Sequence, residues 1–183
     1  MKRKIIVISA ALLIVAADTV LGWCWSSFLS RQKCLDALLE SVPPAERELP
    51  PRVDAVFVKS KLVEKYDGGA EAILYHCRNL DGVGENELRL HKTTWKWLIP
   101  LYFNRAERRA VFVHLMDFGE GRGLAYGARR YFSKEIGELT EDEAVKLILI
   151  SRTPGLYADA DNAELDRAAA DYLKEIEYQA GER

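Results

Sequence analysis

Residues 118–157 read FGEGRGLAYGARRYFSKEIGELTEDEAVKLILISRTPGLY, and the fold class is decided there. Gly119, Gly121, Gly123 and Gly127 punctuate a turn in which glycine supplies backbone angles that other residues resist. A small-residue helix follows and ends at Tyr131-Phe132. Thr140 and Glu143 then make a capping box, in which hydroxyl and carboxylate each satisfy a free backbone N–H at a helix start. The apolar run Val145–Ile150 carries that helix to a Thr-Pro-Gly turn at 153–155. By themselves these residues give two helices on a tight joint.

Working outward, the same signals recur. Asn104 is placed to cap a helix over roughly Glu107–Met116, and Asn162 to cap a last one striped by Leu165, Ala169, Tyr172 and Ile176. Cys34, Leu35, Leu38 and Leu39 share one face of a helix over 31–41. Val53, Val56, Phe57, Ser60 and Val63 have helical spacing over 53–66, with the Val-Phe-Val run leaving a strand as the alternative, and Ala70–Arg78 reads as a further short helix. Pro43-Pro44 and Pro50-Pro51 bracket a charged linker expected not to be regular helix, and 79–87 reads as a loop. From Leu88 to Phe103 the chain is aromatic and apolar, with Pro100 expected to kink or end a helix. That stretch suits either a core or a membrane-facing surface, core being the default for apolar residues. The sum is an all-α domain with no internal repeat.

The N-terminus is Met1-Lys2-Arg3-Lys4 followed by an apolar run from Ile5 to Ala17, the positive-inside pattern of a membrane-inserting segment. Extended through Asp18 to Trp25 it approaches the ~20 residues that a spanning helix needs. Val15-Ala16-Ala17 also makes an acceptable cleavage site, so a signal peptide is the rival to an anchor over 1–25. Both put residues 26–183 outside the cytoplasm, on the periplasmic or extracytoplasmic side of the inner membrane. Over the whole chain 49% hydrophobic and 30% charged residues give the balance of a globular protein, the remainder being of one-domain size, and a net charge of −2 gives no reason to expect nucleic acid. Cys34 and Cys77 are the two cysteines of that domain, either a disulfide or two buried thiols. No Cys/His spacing suggests a metal or another cofactor.

The order of motifs resembles the C-terminal half of family 51 glycosyltransferases, the peptidoglycan transglycosylases that polymerise lipid II. In that family a Phe/Trp-Gly-x-Gly turn leads to an Ala-rich helix ending Tyr-Phe-x-Lys, then to a Leu-Thr-x-x-Glu-Ala helix start, a proline turn and a tyrosine. Phe118-Gly119-Glu120-Gly121, Tyr131-Phe132-Ser133-Lys134, Leu139-Thr140, Glu143-Ala144, Pro154 and Tyr157 stand in those places in order. The resemblance implies a lysozyme-like helical fold, with 26–52 a helix and Pro-rich linker and 53–183 the transglycosylase-like domain. It also implies lipid II or peptidoglycan glycan as ligand, a membrane setting, and a cell-wall synthase as a possible partner.

Family 51 enzymes work with two glutamates, a general base on the acceptor hydroxyl and an acid that assists the lipid-pyrophosphate leaving group. By the resemblance the first belongs where this chain has Ser60, followed by Lys61 where an aspartate is expected. Glu64 lies one turn further on and is either a substitute or a solvated carboxylate. The second belongs near Lys92. A Tyr-Leu-Asn becomes Phe112-Val113-His114, and the Gly-(Gly/Ala)-Ser-Thr-Ile-x-x-Gln signature has no match. A general base cannot be exchanged for Ser or Lys with its role intact. No catalytic residue is therefore assigned, and the expectation is an inactive or impaired transglycosylase, the alternative being a non-enzymatic membrane-anchored envelope protein.

Two further groups of residues stand out. His76, His91 and His114 titrate near neutrality when unperturbed, but none has a Ser or Cys nucleophile in a recognisable motif beside it. His114 falls in an apolar helix, where a packed, hydrogen-bonded role is expected. Arg105, Arg108, Arg109, Arg122, Arg129 and Arg130 form either a phosphate cradle or a solvated face balanced by Glu107 and Glu120.

Overall fold

The structure, a computed structural model, describes residues 15, 18–23, 25–60, 68–78, 84–157 and 162–181. Its elements are α1 (Gln32–Ser41), α2 (Pro44–Arg47), α3 (Pro51–Ser60), α4 (Gly68–Cys77) and α5 (Glu85–Tyr102). They continue as α6 (Arg105–Leu115), α7 (Leu124–Phe132), a 3₁₀ turn (Ile136–Glu138), α8 (Glu141–Arg152), α9 (Pro154–Tyr157) and α10 (Asn162–Gly181). Residues 18–23 and 25–29 are helical as well. The domain is all-α; an isolated bridge between Asp117 and Arg122 is the β-type pairing among the described residues.

The expected capping box of Thr140 with Glu143 forms at the start of α8, and Asn104 caps α6 as expected, there joined by Glu107 in a second capping box. Three local expectations are corrected. The Pro-bracketed linker contains the one-turn helix α2, because Pro44 occupies a first-turn position where its missing N–H is no loss. Glu85–Glu87, read as loop, already belong to α5. The Thr-Pro-Gly turn winds into α9, with Leu156 and Tyr157 both donating to the Thr153 carbonyl. Pro100 lies in the last turn of α5, which ends two residues later with the Phe103 N–H on the Ile99 carbonyl.

Two apolar clusters form the interior. The front one joins Phe28 with Leu35 and Leu38 of α1, Ile73 and Leu74 of α4, Trp95 and Ile99 of α5, and Ala110 and Val111 of α6. The rear one joins Val53, Val56 and Phe57 of α3 with Val113, Leu124, Ala128, Leu139, the apolar side of α8, and Leu165 and Ala169 of α10. Helix α6 serves both, so its C-terminal turn lies on the seam. The Cys34–Cys77 disulfide staples α1 to α4 within the front lobe, with Cα atoms 5.7 Å apart. Closing a loop of that length stabilises by about 4 kcal/mol in the chain-entropy picture.

Helix α5 resolves the question of its aromatic stretch by face. Trp95, Ile99 and Phe103 are buried at four-residue spacing, while Trp97 is 71% and Leu101 76% exposed on the opposite side. No helix among the described residues is long and apolar enough to cross a membrane. Most of the expected anchor over 1–25 lies outside the described residues, as does Glu64.

Candidate functional site at the seam between the lobes

Glu46 is the organising residue. It stands in the first turn of α2, is 1% exposed, and has both carboxylate oxygens engaged. The Ala125 N–H at the start of α7 donates to Oε1 at 2.9 Å, and His114 Nδ1 at the end of α6 lies 2.7 Å from Oε2. A carboxylate at a helix N-terminus meets free N–H groups and the positive end of the helix dipole. Gly123 makes this approach possible. Its φ is +90°, and a Cβ there would lie 2.6 Å from Glu46 Oε1.

Since an ionised carboxylate only accepts, Nδ1 of His114 is the donor in this pair, and that leaves Nε2 as the acceptor of the neutral ring. Nε2 faces the Ser41 hydroxyl at 3.4 Å. Arg47 holds Ser41 in place from the other side. Its guanidinium donates to the Leu39, Glu40 and Val42 carbonyls, closing the end of α1 against α2.

Next to this triangle, Ala72, Tyr75 and His76 of α4 face Leu115, Asp117 and Arg122 across a cleft of about 320 Å³. His76 titrates below its ordinary value, first because burial disfavours its charged form and then because the positive charge of Arg122 opposes a proton there. The cleft thus presents a neutral imidazole, a guanidinium and a phenol ring. Asp117 is its carboxylate, with Oδ1 accepting the Gly119 N–H at 2.8 Å.

No protein-family model, no curated protein and no solved structure matches this chain.

The two positions where the resemblance expects glutamates do not face each other as an acid pair. Ser60 is buried and donates its hydroxyl to the Phe57 carbonyl at 3.1 Å. Lys92 pairs with Glu71 at 2.5 Å and sits 5.2 Å over the Tyr75 ring; the Glu71 hydrogen bond raises its pKa first and foremost. Lys61 lies outside the described residues. Four of the six arginines are placed by their partners or by the cleft. Arg109 pairs with Asp54, Arg129 with Glu135 and Arg130 with Glu120, whereas Arg122 lines the cleft. His91 is buried beside Glu87, and burial lowers its pKa. His114 is hydrogen-bonded as expected, but the serine beside it comes from 73 residues away rather than from a local motif. Glu46 was not singled out from the sequence; Pro44 with a glutamate two residues on signals a helix start, and nothing local signals burial.

A second surface concerns the setting of the site. Val20, Leu21, Gly22 and Trp25 meet Leu90, Thr93, Thr94, Trp97 and Leu98 along an almost wholly apolar groove of about 590 Å³. Exposed Trp23 and Leu101 extend the same front-lobe surface.

Proposed function

We propose that this protein is a membrane-anchored envelope protein related to family 51 transglycosylases, which holds a lipid-linked glycan precursor of the lipid II kind without polymerising it. The observation that carries this reading is the chemistry at the two glutamate positions. Buried Ser60 spends its proton on a backbone carbonyl, and Lys92 is committed to Glu71. Neither is a carboxylate able to take a proton from an acceptor hydroxyl or assist a pyrophosphate leaving group.

Ligand binding is supported by the cleft. A guanidinium fork suits phosphate oxygens, and Tyr75 offers an aromatic face to a sugar ring. The membrane setting is supported by the basic start of the chain, its apolar run, and the continuation of that run into the groove beside Trp25 and Trp97. Exposed tryptophans suit the interface between headgroups and water. The disulfide favours an oxidising compartment, in keeping with a domain on the extracytoplasmic side. A lysozyme-like arrangement of the two lobes and a synthase as binding partner belong to the same proposal.

The test is to incubate the full-length protein in bilayers with lipid II and separate the products. The expected result is retention of lipid II with no glycan polymer. Robust polymer defeats the proposal, and so does absence of any binding.

A further inference from the structure

We propose that Ser41, His114 and Glu46 form a nucleophile, a base and a positioning carboxylate that together take a short acyl group from a carboxylic ester. The site is separate from the glutamate positions of the polymerase chemistry, and nothing in the proposed binding role requires it.

Three observations build it. The Oε2 oxygen of buried Glu46 holds Nδ1 of His114 at 2.7 Å, which fixes the ring and leaves Nε2 to accept. Nε2 lies 3.4 Å from Ser41 Oγ, within the looser range found before a substrate tightens such a contact. The two partners come from adjoining elements held together: Arg47 of α2 ties down the end of α1, and the N-terminus of α7 holds α2 through Glu46. Ser41 Oγ also donates to the Leu38 carbonyl at 2.7 Å. Rotation about Cβ–Oγ turns that proton toward His114 without moving the oxygen.

Ser30 supplies an internal control, because it makes the same bond, to the Ser27 carbonyl at 2.7 Å, with no histidine hydrogen-bonded to it among the described residues. Ser41 is exposed and lines neither the apolar groove nor the polar cleft, and the acyl group proposed is therefore one that needs no pocket, of the acetyl class.

The chemistry balances without a co-reactant other than water. Ser41 Oγ adds to the ester carbonyl carbon while its proton passes to His114 Nε2. The tetrahedral adduct collapses, the bond from carbon to the alcohol oxygen breaks, and the alcohol leaves with the proton from Nε2. Water then gives a proton to Nε2 and adds to the acyl-Ser41 carbonyl. Collapse of this second adduct returns the proton to Ser41 Oγ and frees the acid. Glu46 acts through His114, stabilising the imidazolium that forms at each step.

The test uses the full-length protein with a fluorophosphonate reagent, read by peptide mapping, and with p-nitrophenyl acetate. Ser41 is expected to label at least 100-fold faster than Ser30 in the same sample, and Ser41→Ala is expected to abolish nitrophenol release. His114→Ala is expected to slow labelling by about 10²-fold or more. The groups facing His114 are Ser41 from α1, Glu46 from α2 and His76 from α4. Glu46→Gln removes the one carboxylate among them and is expected to move the midpoint of the pH–rate profile to lower pH, a change that loss of folded protein does not produce. Equal labelling of Ser41 and Ser30 overturns the proposal, as does nitrophenol release unaffected by Ser41→Ala. The first comparison needs no variant, so a substitution that fails to fold does not rescue the idea.

Discussion

Glu46→Ala is the substitution that bears most directly on how the seam is held. It removes a buried carboxylate that accepts from the Ala125 N–H at 2.9 Å and from His114 Nδ1 at 2.7 Å. Hydrogen bonds to a charged group contribute about 1.5–3 kcal/mol each, and two of them bound the loss at roughly 3–6 kcal/mol. His114 is 27% exposed, so its Nδ1–H can turn to water and recover part of its share. The Ala125 N–H is less free to do so, which places the expected loss at about 3–4 kcal/mol, near the lower end for a broken buried pair. For a domain of this size that lowers the melting temperature by roughly 6–16 °C. Urea unfolding of wild type, Glu46→Ala, His114→Ala and the double variant measures the loss and its shared part. A coupling energy above about 1 kcal/mol is expected for groups in direct contact. A loss under about 1 kcal/mol for Glu46→Ala, with an unchanged urea slope, refutes the view that this carboxylate ties α2, α6 and α7 together.

Three more outcomes follow from the same structure. Reducing the Cys34–Cys77 disulfide is expected to lower stability by about 4 kcal/mol, a loss visible as an earlier urea midpoint in reductant. Gly127→Ala puts a Cβ 2.4 Å from the Phe118 ring, and the expected loss is about 1–3 kcal/mol, as for overpacking a filled core; thermal unfolding reads it. His76 and His91 both titrate below their unfolded value, so the unfolded chain binds protons that the folded one refuses. Stability is then expected to rise with pH through the region just below about 6.5 and to be lost as the solution is acidified through it, which urea midpoints at several pH values measure.

The legible and the illegible parts of this chain differ in sequence distance. Asn104 with Glu107, and Thr140 with Glu143, are partners three residues apart, so a capping box states its helix start locally. The stripe Leu165, Ala169, Tyr172 and Ile176 announced a buried face in the same local way; three of the four are buried and Tyr172 is half-buried. The split of α5 into a buried Trp95 face and an exposed Trp97 face was also present as spacing, but apolar residues on both sides concealed it. The seam was not readable. Glu46 meets partners 68 and 79 residues away, and Ser41 meets His114 across 73. Proline at the start of α2 looked like a helix breaker because its tolerated place, the first turn, depends on where the chain bends. Arginines dense in the sequence between 105 and 130 point to different elements, since neighbours on a helix face diverge once the chain turns.

The measurement that bears most directly on the proposed role is co-sedimentation of the full chain, tethered to vesicles, with lipid II at increasing content. Wild type is expected to retain lipid II as an intact monomer, and Arg122→Ala with His76→Ala to release most of it while staying on the vesicle. Retention unchanged by both substitutions, or conversion of the bound lipid to polymer, contradicts a cleft that binds the precursor and leaves it unreacted.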